Sequence, residues 1–366
     1  MQFGGRELCA ATGARLLSAR GIGRSLLCLR RLLIAGALMA GASFADPLPA
    51  PDSQPSRMAS DTRCRASDVS VMTYNVAGLP WPLAKKGPDA LTAIGKRLAR
   101  LRARGCAPAV VVLQEAFSDD AKAIGRIAGY KFLVEGPYLR SGTWPRDAGT
   151  PDWTLGETAG TPVGSGLIVM SDLPVAEVRR AAFPQGACAG LDCLAAKGVL
   201  LVTLELPGGR NIMVADTHLN SKGASGAAAS RTQAAYQRQA DFLAQFLRES
   251  RDAEMPLVIA GDFNRGQRAE RTHALQSALE RLAGAPVLDG LRTCMIGAPA
   301  PATRSADART IAQRARDMQY AINGTHGALR PVGADIPFGT ESDGSMLSDH
   351  IGYTIHYAYV PGLLGS

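Results

Sequence analysis

Several apolar runs rich in Val and Ile stop at polar residues of a restricted kind. Asn75 follows the run at 69–74, and Gln114-Glu115 follow 110–113. Asp216-Thr217-His218-Leu219-Asn220 close the run at 211–215, and Gly261-Asp262-Phe263-Asn264 close 257–260. Ser348-Asp349-His350 open the run at 351–357. A single polar residue at a strand end is usually a solubility feature. Here the types together suit one chemistry, metal-assisted attack on a phosphate. Glu115, Asp262 and Asp349 are hard oxygen ligands, and with Asn75 they suit Mg²⁺ or Mn²⁺. A phosphodiester is a poor electrophile, so a metal must offset the charge on its oxygens. His218 and His350 add proton chemistry near neutral pH. Asn264, two residues after Asp262, is placed to donate to water or to a phosphate oxygen.

Something must bring these residues to one place. Apolar runs bounded by Gly, Pro, Asp or Asn at 69–74, 110–113, 166–170, 199–206, 211–217, 257–260, 318–322 and 351–357 read as strands. Three intervening segments read as amphipathic helices. Residues 89–104 align Leu91, Ile94, Leu98 and Leu101, residues 232–249 align Tyr236, Ala240, Leu243 and Leu247, and residues 270–283 align Leu275, Leu279 and Leu282. Strands outnumber helices and the two are interspersed, which predicts an α/β fold with a sheet-on-sheet core and helices outside. Residues 136–164 break the pattern, being rich in Gly and Pro and carrying Tyr138, Trp144 and Trp153. So long a loop is either a floppy insertion or a substrate-facing lid.

The stretches TYNVAGLP (73–80), LQE (113–115), GSGLIVMSDLPV (164–175), ADTHLNS (215–221), AGDFN (260–264), ARDMQYAI (315–322) and SDHIGY (348–353) resemble the endonuclease/exonuclease/phosphatase superfamily. The resemblance runs over about residues 66–357 and implies a four-layer sandwich of two mixed β-sheets flanked by helices, with the site at one rim. It implies Glu115 as the principal metal ligand, supported by Asn75, with Asp349 holding the metal or the catalytic network. Asp262 and Asn264 would orient the attacking water. His350 would be the general base or a phosphate-stabilising imidazole, buttressed by Asp317, and His218 would stabilise the transition state or assist the leaving group. Asp192 and Lys197 in DCLAAKG (192–198) resemble the Asp-x4-Lys-Gly element of sphingomyelinase-like members, and with Asn220 they are the expected substrate-binding residues.

That resemblance implies an exported, Mg²⁺-dependent phosphodiesterase acting on sphingomyelin or a related phospholipid at a membrane surface, with no obligate protein partner. The alternative is a nuclease or an inositol-phosphate phosphatase with the same catalytic set. Two features depart from secreted sphingomyelinases: THLNS replaces the His-Thr-Gln usual there, and no long hydrophobic hairpin is visible. His273, His326 and His356 read as structural.

Charge and cysteine usage bear on compartment and partners. The chain has 40 Lys and Arg against 32 Asp and Glu, a net charge of +8. Six of those arginines and one acid, Glu7, lie in residues 1–45, so the remaining chain carries 34 basic and 31 acidic residues, or +3. That excludes a strongly basic nucleic-acid coat, and Arg97, Arg100, Arg102 and Arg104 read as the solvated face of one helix. With 46% hydrophobic and 20% charged residues, general disorder is also excluded. The apolar run at 32–45 has 14 residues after Arg30-Arg31, short of the roughly 20 a membrane span needs. It reads as a signal peptide over 1–45, followed by a flexible linker at 46–65, one catalytic domain at 66–360 and a tail at 361–366. Export permits disulfides. Cys188 and Cys193 bracket a tight loop and are the expected pair, Cys64 with Cys106 is a second candidate, and Cys294 is left over. A zinc cluster is disfavoured for want of a second close Cys or Cys/His pair.

Overall fold

Alternation along the first strand divides its side chains between two cores. Strand β1 (Val69–Gly78) sends Val69 and Val71 into one apolar cluster and Met72, Tyr74 and Val76 into another. That is the period-two signature of a strand buried on both faces. A computed structural model describes residues 67–79, 87–297 and 301–362. They lie in one compact unit, Asp61–Ser366. The expected signal peptide and linker, and residues 363–366 of the expected tail, lie outside the described residues, while the last strand extends to Pro361, one residue into that tail.

The remaining strands are β2 (Val110–Ala116), β3 (Phe132–Glu135), β4 (Ile168–Ser171), β5 (Val175–Ala182), β6 (Gly198–Leu206), β7 (Arg210–His218), β8 (Leu257–Asp262), β9 (Asp317–Ile322), β10 (Gly327–Phe338) and β11 (Gly352–Pro361). One sheet has the order β10-β11-β1-β2-β4-β3 and the other β5-β6-β7-β8-β9. The pairs β1/β2 and β7/β8 are parallel and the others antiparallel, so both sheets are mixed. Between the sheets, Val110, Val112, Val169 and Ile355 meet Val202, Leu204, Val214 and Val258. Helices α1 (Pro88–Ala103) and α2 (Asp119–Ala128) cover the first sheet, with Leu91, Ile94, Leu98 and Ile124 packed on Met72, Val111, Leu113 and Met170. Helices α3 (Ala229–Ser250) and α4 (Ala269–Ala283) cover the second, with Tyr236, Leu243, Leu247, Leu275 and Leu279 on Leu201, Met213, Ile259 and Phe263. Two shorter helices, α5 (Gly290–Gly297) and α6 (Ala306–Arg314), add Leu291 and Ile311 to the inter-sheet core. This is the four-layer sandwich that the sequence implied.

Polar groups cross between the sheets as well. Gln114 on β2 donates to Asp216 Oδ1 on β7 at 2.7 Å, and Gln319 on β9 donates to the Val71 carbonyl on β1 at 3.2 Å. Tyr357 on β11 donates to Gln319 Oε1 at 3.2 Å. All are buried, so a slip between the sheets would leave them unpaired, and they fix one relative placement.

The irregular stretch 136–164 is pinned down. Buried Glu157 accepts from the backbone N–H of Gly190 at 2.7 Å and of Asp152 at 2.6 Å, and from Arg231 at 2.5 Å. Cys188 and Cys193 are disulfide-bonded as expected. Cys106 is disulfide-bonded and Cys294 is a buried thiol, while the Cys64 end of the second expected pair lies outside the described residues. Two arginines of α1 do more than face solvent. Arg97 pairs with Glu341 at 2.7 Å, and Arg102 pairs with Asp172 at 2.7 Å and stacks on Tyr130.

Close approach between β7 and β8 requires a glycine at position 261. Gly261 has φ +148, and a Cβ there would sit 2.0 Å from the Thr217 carbonyl oxygen of the neighbouring strand. Backbone cannot yield there cheaply, so Gly261→Ala should cost more than about 2 kcal/mol. Gly223→Ala, at an open loop position outside the left-handed region, should change stability by less than about 0.5 kcal/mol. Thermal or urea denaturation of the two variants measures both.

Candidate active site

Parallel pairing of β7 with β8 sets His218 directly opposite Asp262, and antiparallel pairing of β8 with β9 sets Asp262 opposite Asp317. β1 and β2 supply Asn75 and Glu115 from the other sheet. The backbone leaves the regular ladder here. Glu115 has φ +56, Ala77 +50 and Asn264 +46, and the β1/β2 register shifts between Asn75 and Gly78. Positive φ is costly for residues with a Cβ, and three such residues flanking one cluster mark strain held by its surroundings.

The cluster centres on one atom, Asp262 Oδ2. It accepts from Asn75 Nδ2 at 3.0 Å and lies 3.5 Å from His218 Nε2 and 3.8 Å from His350 Nε2. Its partner, Oδ1, accepts from the Asn264 N–H at 2.9 Å. Asn75 Nδ2 also donates to Glu115 Oε1 at 3.0 Å. His350 Nδ1 lies 2.8 Å from Asp317 Oδ2, and Lys197 Nζ lies 3.0 Å from His218 Nε2. An ammonium has only donors, so Lys197 donates and the His218 ring carries its proton on Nδ1. Lys197 is held in turn by Asp192 Oδ1 at 2.7 Å, and Asp192 Oδ2 accepts from the Ser221 N–H at 2.5 Å.

Burial and charge push the two imidazoles apart. Burial, with the positive charges of Lys197 and His350, holds His218 well below the usual histidine range. Burial also opposes charge on His350, but Asp317 and Asp262 overcome it and raise it to about 10. Glu115 and Asp262 are raised above the carboxylate range by burial. Asp216 is raised well above that range for the same reason.

Most of the expected residues converge, but three have other surroundings. The Ala77 N–H must be met by the Asn75 side-chain oxygen, at 3.0 Å, which turns Nδ2 toward both carboxylates. Asn75 therefore presents a donor to the site, where a metal-ligand oxygen was expected. Asp349 is exposed between buried Ser348 and His350, and it belongs to neither group of residues whose ligand atoms converge. Asn220 is buried, with Oδ1 accepting from the Ala189 N–H and Nδ2 donating to the Ser221 carbonyl, so its amide serves the loop backbone. Ser348 was passed over. Its hydroxyl donates to the Asn75 carbonyl at 2.7 Å and accepts from the His350 N–H at 3.2 Å, tying the two site segments together. A polar residue two before the histidine was the available signal. His273 and His326 are exposed, and His356 pairs with Asp335 at 2.8 Å, away from the cluster.

Two groups of ligand atoms each fall within 4.8 Å of one another: Glu115, His218 and Asp262, and Asp262, Asp317 and His350. His218 Nε2 already faces Lys197, and His350, with Nδ1 on Asp317 and Nε2 toward Asp262, is held cationic with no free lone pair, so the carboxylates of Glu115 and Asp262 are the available donors. Hard oxygens raised by burial fit a hard divalent cation, which would relieve their desolvation.

The sequence pattern of the Endonuclease/Exonuclease/phosphatase family matches residues 72–350, and the chain belongs to that family. It is 28% identical over 216 residues to proteins named sphingomyelinase from Mycobacterium tuberculosis and Mycobacterium bovis, a match that covers 58% of this chain and 37% of theirs. In fold it is similar to a beta toxin from Staphylococcus aureus solved with bound magnesium ions (TM-score 0.54, 16% identity, 79% of this chain and 99% of that one). It is likewise similar to sphingomyelinase C from Streptomyces griseocarneus (TM-score 0.51, 23% identity, 80% and 100%).

The His350–Asp317 pair has a defined pH signature. Because the folded value is raised, the pair's stabilisation is complete below the unfolded value near 6.5 and is lost as pH rises through about 10. Asp317→Asn should lower the His350 value and flatten the fall in metal-free stability over that window. Imidazole NMR titration and melting curves from pH 6 to 10.5 check both effects.

Proposed function

We propose that this chain is a divalent-metal-dependent phosphodiesterase that uses water to cleave sphingomyelin or a related phospholipid. One observation carries the chemistry: a single carboxylate oxygen, Asp262 Oδ2, is flanked by two imidazoles that their surroundings push in opposite directions. Groups whose environments separate their protonation states suit separate roles in proton transfer. Asp262 accepts the proton of the attacking water as the new P–O bond forms. His350, kept cationic by Asp317, donates to the phosphoryl oxygens and does not act as the base. Lys197, held between Asp192 and His218, gives the leaving alkoxide a proton from its ammonium as the bond from phosphorus to the lipid alcohol breaks. Mg²⁺ or Mn²⁺ at Glu115 and Asp262, when bound, supplies positive charge against the phosphoryl oxygens.

The lipid reading draws on the mycobacterial relatives and on the Asp192–Lys197 pair against His218. The surface supports it further. Leu139 is 78% exposed, Trp153 77% and Leu191 44%, and Leu191 precedes Asp192. Glu157 ties the segment carrying Trp153 to Gly190. Exposed apolar groups on loops fixed beside a site suit a lipid interface. Export, supported by the basic leader and the apolar run at 32–45, belongs to the same proposal.

The test is a panel of sphingomyelin, double-stranded DNA, inositol phosphates and a chromogenic phosphodiester, with Mg²⁺ or Mn²⁺. Choline phosphate release without DNA nicking is the expected result, abolished by EDTA and restored by either metal. DNA nicking without choline phosphate release would overturn the lipid reading, and full activity after exhaustive chelation would overturn the metal mechanism. His350→Ala and His218→Ala should each lose at least about 10²-fold in turnover, and His350→Ala should also melt at a lower temperature near neutral pH, because it loses the buried pair with Asp317. The double variant should lose less than the product of the two, because the residues act as a unit. Exposed His273→Ala should keep near-normal turnover.

A further inference from the structure

Arg271, near the start of α4, is only 1% exposed and is among the largest fully buried side chains of the described residues. Among the described residues no carboxylate forms a salt bridge with it. Its guanidinium instead donates to backbone carbonyls: Nη1 to Asn220 at 2.8 Å and to Asn264 at 2.7 Å, and Nη2 to Ser221 and to Thr232, each at 3.4 Å. It stacks over the Tyr236 ring at 4.4 Å. These carbonyls are not scattered. Asn220 and Ser221 belong to the segment leaving β7 just after His218, and Asn264 to the segment leaving β8 just after Asp262. Thr232 lies in α3, which packs over both strands.

Strand ends leave carbonyls without ladder partners, and buried carbonyls need donors. These two segments meet some of that need from each other, through the Leu219 N–H to the Asp262 carbonyl at 2.9 Å and Asn264 Nδ2 to the Leu219 carbonyl at 3.0 Å. Arg271 completes the link from beneath. A planar guanidinium offers five donors in a fixed fork, so one side chain can set two segments at a fixed spacing, which an ammonium or an amide cannot match.

We propose that Arg271 is a positioning residue whose buried guanidinium clamps the segments after β7 and β8, and so sets His218 and Asp262 at their working separation. It touches no reacting atom. Its effect on turnover passes through His218, which lies 3.5 Å from Asp262, and through the Asn264 N–H that orients the Asp262 carboxylate. A displacement of about 1 Å at such a site can cost about 10²-fold in rate. This inference rests on the phosphodiesterase reading above and adds a residue to it.

Arg271→Met and Arg271→Lys test the clamp, with Leu279→Ala as a control on the same helix that removes core packing without touching either segment. Amide hydrogen exchange at 219–221 and 263–266 and steady-state kinetics are measured at a temperature where every variant is folded. In Arg271→Met, exchange at both segments should quicken at least tenfold. Its kcat on the best phosphodiester should fall at least tenfold, with KM changed by less than threefold. Arg271→Lys should recover part of both losses, and Leu279→Ala should show neither beyond its loss of melting temperature. Unchanged exchange at the two segments, or a kcat loss in Arg271→Met no larger than in Leu279→Ala, would overturn the proposal. Exchange needs no substrate, so a wild-type protein inactive on every phosphodiester would count against the functional reading while exchange still decides the clamp. If Arg271→Met does not fold, Arg271→Lys carries the same comparison.

Discussion

The convergence on Asp262 Oδ2 is the constraint the rest of the structure serves. Asn75 reaches it from β1, His218 from β7 and His350 from the segment before β11, so both sheets contribute to the surroundings of one atom. Such a site works only if the sheets cannot slide. Close packing of Val and Leu between them resists compression but leaves register weakly specified. The buried pairs Gln114–Asp216 and Gln319–Val71 supply the register, since a shifted sheet would leave those amides and that acid unpaired. Gly261 and the strained backbone at Glu115 serve the same end, the first by letting β8 approach the Thr217 carbonyl of β7 and the second by letting Glu115 leave the ladder at the rim.

Electrostatics then differentiates the converged groups. Glu115, Asp262 and Asp317 crowd carboxylates into a largely buried site, against Lys197 and His350. The cluster answers unevenly. His350 takes up positive charge between two carboxylates, whereas His218 stays neutral beside an ammonium. Among the described residues the Asn75 amide is the side chain in hydrogen-bond contact with Glu115. A divalent cation there would complete the balance in the way hard oxygen donors favour.

Much of this was legible from residue types and their order. The eight strands built on mostly apolar runs were readable, and with them the layers, because strands buried on both faces stay apolar at most positions. The strands that escaped, β3, β5 and β10, are all sheet edges. β5 carries Glu177, Arg179 and Arg180, and β10 carries Pro331 and Pro337, which an edge tolerates and an apolar-run search discards. The Cys188–Cys193 bond was readable because its ends are five residues apart. What could not be read was which atom of a side chain faces the site. The Ala77 N–H decides the orientation of Asn75, the loop backbone consumes the Asn220 amide, and buried neighbours on both sides turn Asp349 outward. Those outcomes depend on groups brought close only by the fold.

Calorimetric titration of the metal-free protein with Mn²⁺ and Mg²⁺ decides whether the Glu115–Asp262 carboxylates form a divalent-cation site. The account predicts saturable binding by the wild-type protein that weakens about tenfold or more in Glu115→Gln while the melting temperature without metal stays unchanged or rises. Equal affinity in wild type and Glu115→Gln, or no binding by the folded wild-type protein to either cation, would contradict it.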